Sequence, residues 1–232
     1  VTPFSLSISR IKLDEGESHH ARSVRRLAKG DEVRLSDGAG NLARGVLVDV
    51  PRQGLVEVLV EDAWHSEPRT PKITVIQALI SGDLINDSIA MMTELGVDCF
   101  IPWVAERSQA RGQNVTNRWR RVASEATKQS GRAWLPEVSE PKVTVDLEPV
   151  LTDLDLVLVG DSAATLNVGQ VSFGNAKSLG LVVGPEGGLT PSEVDFFDQL
   201  GAVRVSFGPT TLRAVTAGTA LVAALQTQVL NT

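Results

Sequence analysis

From Ile73 onward the chain alternates short runs that are apolar on every side with stretches of helical period, and that alternation leaves few architectures open. "KITVIQALI", "VDCFIPWV", "LDLVLVG", "LGLVVG" and "AVRVSFG" read as strands. "DLINDSIAMMTELG", "TNRWRRVASEATKQSG", "PSEVDFFDQLG" and "LRAVTAGTALVAALQTQ" read as helices, the first stopping at Gly96 and the second carrying Trp119, Val122 and Ala126 on its apolar face. Strands without a polar side need cover on both faces, so the pattern predicts an α/β domain with a parallel sheet between two layers of helices. No internal repeat interrupts it.

The first part of the chain has a different rhythm. "SHHARSVRRLAKGDEV" predicts a helix with Ser18 as N-cap, Val24, Leu27 and Ala28 as a buried stripe and Gly30 as a left-handed stop. Arg22, Arg25, Arg26 and Lys29 would share its other face, either as a solvated surface or as a basic one with a partner. "DEVRLSDGAGNLARGVLVDV" predicts two strands joined through Asp37-Gly38-Ala39-Gly40-Asn41, and "GLVEVLVEDA" a third, giving a small antiparallel barrel or sheet. The proline-rich, polar stretch "DAWHSEPRTPK" places a domain boundary near Pro71, so that residues 1–70 form the small domain and 71–232 the larger one.

At 42% hydrophobic and 22% charged residues the composition is that of a folded globular protein, which excludes extensive disorder. No apolar run is long enough to span a bilayer and no signal pattern opens the chain, so a cytoplasmic protein without a membrane partner is expected. The single cysteine, Cys99, sits in a strand-like apolar run and reads as a buried small residue rather than a nucleophile. His19, His20 and His65 lack any metal-ligand spacing, and no metal is expected. The net charge of −6 argues mildly against nucleic acid, but its distribution argues the other way. Between Glu106 and Arg132 the basic residues Arg107, Arg111, Arg118, Arg120, Arg121, Lys128 and Arg132 face only Glu106 and Glu125.

The segment "LVVGPEGGLTPSEV" runs a strand through Gly184-Pro185-Glu186-Gly187-Gly188 into a helix whose start is fixed by a capping box, Thr190 to Glu193, with Pro191 at the first helical position. A P-loop would need a Gly-Lys-Ser/Thr ending and a dinucleotide fingerprint would need G-x-G-x-x-G early in the sheet; neither is present. A ligand that is neutral or positively charged, held through main-chain groups, and a bare tight turn both remain open. "VSFGPTTLRAVTAGTALVAAL" repeats the plan of strand, Gly-Pro turn and helix. Arg213 stands where the helix dipole disfavours a cation, which calls for a compensating role.

"LVVGPEGGLTPSEV" together with "FGPTTLRAVTAGTALVAALQ" resembles the C-terminal signature of the 16S ribosomal RNA uracil-N3 methyltransferases, the RsmE family of the SPOUT superfamily. "TELGVDCFIPWVAERS", "ASEATKQSGR" with "LPEV" beyond it, and "HHARSVRRLAKGDEVRLSDGAG" match the same family in the same order. The resemblance covers nearly the whole chain. It implies an N-terminal PUA-like β-barrel, a SPOUT-type C-terminal domain with a trefoil knot, a homodimer, and 16S rRNA or the small ribosomal subunit as partner. It further implies S-adenosylmethionine held by Val159 and Gly160, by Val183, Gly184, Pro185, Glu186, Gly187 and Gly188, and by Phe207, Gly208, Pro209, Leu212, Thr216 and Ala217. A cationic sulfonium suits a loop carrying Glu186 better than a polyphosphate does.

In that reading methyl transfer to N3 of a uridine builds negative charge on the flanking carbonyls. One well-aimed donor typically lowers such a barrier by ~3–4 kcal/mol. Arg213 is the first candidate, with Arg132 and Arg107 next. Arg22, Arg25, Arg26, Arg107, Arg121 and Lys128 would hold RNA phosphates. Two departures from the family pattern stand out. Arg213-Ala214-Val215-Thr216-Ala217 replaces the usual Arg-Thr-Glu-Thr-Ala, and the helix in "SGDLINDSIAMMTELGV" lacks the usual lysines and arginine. Both favour the alternative of a catalytically impaired SPOUT-like RNA-binding protein.

Overall fold

The computed structural model describes residues 4–109, 114–208 and 210–229. The chain divides into two compact units, one made of residues up to Pro68 with Thr127–Leu135, the other of residues from Arg69 to Ala126 and from Pro136 on.

The first unit is a four-stranded antiparallel sheet. Its elements are β1 (Arg10–Lys12), α1 (Glu15–His19), β2 (Glu32–Ser36), β3 (Asn41–Asp49) and β4 (Glu57–His65), in the spatial order β1-β4-β3-β2. Ile11, Leu13, Ala21, Leu47, Val56 and Val58 form its core. β3 shifts register against β4 between Arg44 and Gly45, and no Cβ fits at Gly45 against the Leu59 carbonyl. Residues 131–135 lie along the turn between β2 and β3: Gly40 N–H donates to the Ala133 carbonyl at 3.0 Å and Leu135 N–H to the Gly38 carbonyl at 2.8 Å.

The helix expected from Ser18 to Gly30 is corrected. Asp14 is the N-cap, its carboxylate accepting Glu17 N–H at 2.8 Å, and α1 passes directly into one wide turn, His20–Val24, in which Arg25 N–H reaches back five residues to the His20 carbonyl. The Ser18 hydroxyl is fully buried, donating to the Leu13 carbonyl and accepting Val56 N–H. It stitches the helix to the sheet instead of capping it. Val24 is 64% exposed, Ala28 is exposed and Arg26 adopts φ 52°, so of the expected buried stripe only Leu27 packs partly against the core, and Arg25, Arg26 and Lys29 do not share a helical face.

The second unit is the predicted parallel sheet. Its elements are β5 (Lys72–Ala78), α2 (Leu84–Glu94), β6 (Cys99–Val104), α3 (Val115–Ser130, whose last turn belongs to the first unit), β7 (Glu137–Val138), β8 (Lys142–Val143), α4 (Glu148–Thr152), β9 (Leu156–Gly160), β10 (Ser178–Val183), α5 (Pro191–Gln199), β11 (Val203–Val205) and α6 (Ala214–Val229). The spatial order is β11-β9-β10-β5-β6-β7, with β8 also on β6, and every pairing is parallel. Val75, Leu181, Met92, Trp119 and Leu221 pack one face; Ile76, Trp103, Val159, Val182 and Phe197 pack the other. This double cover is why the strands carry no polar side. Among the described residues no helix is long and apolar enough to cross a membrane.

Candidate functional site

Three chain reversals meet at one edge of the parallel sheet. Register pairs Val183 at the end of β10 with Gly160 at the end of β9, and Gly160 in turn with Val205 at the end of β11. The segments that follow, from Asp161, Gly184 and Ser206, therefore leave the sheet at one level, the rim where open α/β sheets take ligands. Val159, Gly160 and Val183 are strand residues directly beneath it.

The glycine turn is closed by Gly188 N–H donating to the Pro185 carbonyl at 2.9 Å, with Gly188 at φ +69°. A Cβ built on Gly188, or on Gly208 at φ +117°, meets nothing within 4 Å. A side chain at Gly188 therefore meets no other protein atom, and its backbone conformation is what restricts the position to glycine. Glu186 is exposed, Phe207 and Leu212 are half-buried, and Pro209 lies outside the described residues. Among the described residues no hydrogen bond engages the main-chain N–H groups of Glu186, Gly187, Phe207 or Gly208. Open space over two bare turns, with main-chain donors to spare, fits a ligand recognised through its backbone contacts.

Two side chains brace the glycine turn and the segment that follows it. The Arg107 guanidinium donates to the carbonyls of Gly187 at 2.8 Å and Leu189 at 3.2 Å, and a Cβ at Gly187 would press on the Arg107 stem at 3.3 Å. Glu193, 1% exposed, accepts Thr190 N–H within the predicted capping box and Glu106 N–H across the sheet. Ser192 Oγ adds a bond to the Glu106 carboxylate at 2.9 Å. Arg107 is expected from the sequence at RNA or in catalysis, and the reach of Glu193 to Glu106 is not legible there, because only the local half of that carboxylate's work follows from spacing.

The second turn runs into α6. Arg213 is exposed, makes no side-chain bond among the described residues, and its carbonyl accepts the N–H groups of Thr216 and Ala217. Thr216 is exposed and Ala217 half-buried against the core. Val215 packs partly into that core, and its carbonyl accepts the Ser88 hydroxyl at 2.9 Å. Gly218 serves the protein's own packing: a Cβ there would lie 2.9 Å from the Met92 sulfur and 3.2 Å from Gln77 Oε1.

The other predicted residues fall into two groups. Arg25, Lys128 and Arg132 line one cavity of the first unit, together with Arg34, which the sequence reading passed over because it sits alone in a strand. Lys128 pairs with Glu17 at 2.6 Å; burial pushes the Glu17 carboxyl up, but the hydrogen bond and charge of Lys128 outweigh that and hold it below the usual carboxylate range. Arg22 donates to the Gly54 carbonyl at 2.6 Å, while Arg26 is exposed on the left-handed turn. In the second unit Arg121 is exposed on α3, and Arg118 is drawn to Asn86 at 2.8 Å and the Gly82 carbonyl at 3.3 Å, fixing the start of α2. Arg111 lies outside the described residues. Trp103 and Trp119 are wholly buried and unable to stack on a base. Among the described residues no cluster of His, Cys, Asp and Glu could hold a metal ion.

Residues 66–226 match the RNA methyltransferase domain family and residues 13–59 the RNA methyltransferase PUA domain family. The chain is 38% identical over 214 residues to ribosomal RNA small subunit methyltransferase E of Mycobacterium bovis, covering 88% of this chain and 81% of that protein. It is 32% identical over 237 residues to the protein of the same name from Synechocystis, covering 96% and 75%. Among solved structures it is similar to a ribosomal RNA small subunit methyltransferase E from Neisseria gonorrhoeae bound to S-adenosyl methionine, at TM-score 0.86 and 26% identity, covering 97% of this chain and 94% of that one.

Proposed function

The chain belongs to the ribosomal RNA small subunit methyltransferase E family and is an S-adenosylmethionine-dependent rRNA methyltransferase; we propose that it methylates N3 of a uridine in 16S rRNA at the rim formed by the Gly184–Gly188 and Phe207–Ala217 turns. The observation that carries this reading is the alignment of Gly160, Val183 and Val205 in one register, which starts three loops at one level over two open glycines.

When bound, S-adenosylmethionine supplies a methyl group activated by a sulfonium. The chain's own residues do the rest. Main-chain groups of Glu186 to Gly188 and of Phe207 to Gly208 would hold the adenosine and its tail, with Arg107 and Glu193 keeping the first turn in shape. The exposed guanidinium of Arg213 is the group we assign to the uracil carbonyl oxygen, where charge builds as the N3 proton leaves. A donor array of this kind acts best where water is excluded, and the target edge must be unstacked to reach it. Arg22, Arg25, Arg26, Arg121 and Lys128 are assigned to phosphates, which positions RNA without reading bases.

Three further features belong to the same reading. A trefoil knot at the C-terminal part of the second unit and a closed PUA-like barrel in the first are what the family implies. A homodimer is supported by α2, whose Leu84 and Met91 are 55% and 41% exposed seven residues apart on one face. A cytoplasmic location accords with an rRNA substrate. The test is to map modified nucleotides in 16S rRNA from cells with and without the gene: loss of one N3-methyluridine, restored by the wild-type chain, is expected, and an unchanged map overturns the assignment.

A further inference from the structure

The first unit contains a cavity of about 320 Å³ whose walls all come from that unit. Its floor is apolar, made by Ile11, Leu13 and Leu35, and its edge carries Arg25, Arg34 and Arg132. The volume lies at the small end of the roughly 300–1,000 Å³ range of ligand pockets, and the mixture of apolar floor and a few placed polar groups is what such pockets share. Cations outnumber carboxylates around it: Arg25, Arg34, Lys128 and Arg132 against Glu17 and Glu32, and Glu17 is already paired with Lys128.

A second observation concerns the same wall. Thr127 lines the cavity, is 2% exposed, and among the described residues its hydroxyl has no hydrogen-bond partner. Leaving a buried hydroxyl unmatched is unfavourable, so an orphan of this kind calls for a ligand or an ordered group. Two other lining residues are held in unusual ways. Arg34 rests over the Trp64 ring at 5.5 Å, which fixes its guanidinium. Arg25 closes the wide His20–Val24 turn and is followed by left-handed Arg26, a local conformation that concentrates at functional sites.

We infer that this cavity takes one unstacked ribonucleotide of the substrate RNA, its base against the apolar floor with an edge on Thr127 Oγ1 and its phosphate at Arg25, Arg34 and Arg132. The inference rests on the proposed function and goes beyond it, since it adds a base-binding site in a unit otherwise assigned to phosphates. A flat, apolar-faced base with a polar edge and an anionic tail matches the three zones in order. An anion alone leaves the floor and the hydroxyl unused.

The experiment is chemical-shift mapping of the full, isotope-labelled chain titrated with uridine 5′-monophosphate at millimolar concentration, with inorganic phosphate as a parallel titrant. The nucleotide is expected to move the amide signals of Leu35, Thr127 and Gly131, and phosphate alone to leave Leu35 and Thr127 unmoved. Thr127→Val should weaken the nucleotide by roughly three- to tenfold without lowering Tm, because it removes an unmatched hydroxyl at constant shape; Arg25→Ala should weaken it similarly. Silent signals with the nucleotide, equal responses to phosphate, or wild-type affinity in both variants overturns the inference. S-adenosylmethionine binding by the same samples separates the two readings: if it persists while the nucleotide is silent the pocket alone fails, and if it too is absent the proposed function fails.

Discussion

Glu193 Oε1 accepts the backbone N–H of Glu106 at 2.8 Å across 87 residues, while its other oxygen accepts Thr190 N–H at 2.9 Å. One buried carboxylate therefore fixes the start of α5 and ties the segment after β6 to the segment after β10. Arg107, next to Glu106, then reaches the carbonyls of Gly187 and Leu189. The glycine turn owes its shape to this pair of contacts as much as to its glycines.

Removing that carboxylate leaves two main-chain donors unmatched. Glu193→Ala is expected to lower stability by about 2–3 kcal/mol, read by denaturant unfolding, and to weaken S-adenosylmethionine through a loosened turn. Glu193→Gln keeps an acceptor oxygen and should lose less of both.

Arg107→Ala removes the two bonds to the turn's carbonyls. Cofactor affinity should fall roughly three- to tenfold by calorimetry, while KM for rRNA changes less. A change in rRNA KM with cofactor Kd untouched would return Arg107 to the RNA surface.

Much of this was legible in the chain, and the unread part has a physical reason. The parallel sheet followed from strands apolar on both sides, and the Thr190–Glu193 capping box from four adjacent residues, because both signals are local. Ser18 misled because its hydroxyl satisfies Val56 N–H, a partner 38 residues away, so Asp14 took the cap. The same distance hides the reach of Glu193, the Arg34–Trp64 contact, and the packing of residues 131–135 along the turn between β2 and β3. Tertiary partners decide such residues, and spacing along the chain does not carry them.

Arg213 makes no side-chain bond among the described residues, so its removal should spare the fold. Arg213→Ala is expected to cut kcat by about 10²–10³ while cofactor Kd changes little, as measured by methyl transfer to 16S rRNA and by calorimetry. Wild-type kcat would remove Arg213 from the mechanism.

Cys99, expected to be buried, is half-buried at the start of β6. Burial, then the charges of Glu137 and Asp98, push it up to about 11 from 9.0. At neutral pH it should react with alkylating agents much more slowly than a free thiol. A raised folded value means that the protonated thiol is favoured by folding: the stability it contributes is fully present below pH 9.0 and is lost as pH rises through about 11. Cys99→Ala should remove that part of the alkaline fall in Tm, and an unchanged fall would assign it to other groups.

The methyl donor's place across the two turns is tested most directly by titrating S-adenosylmethionine into the wild-type chain, Gly188→Ala and Gly188→Val by calorimetry. Alanine at φ +69° costs roughly 1–2 kcal/mol of stability but meets no protein atom, so it isolates the backbone effect, and valine adds bulk over the open turn. The account predicts micromolar binding to the wild type and none to Gly188→Val at a temperature where that variant remains folded. Equal affinity in the wild type and Gly188→Val would contradict it.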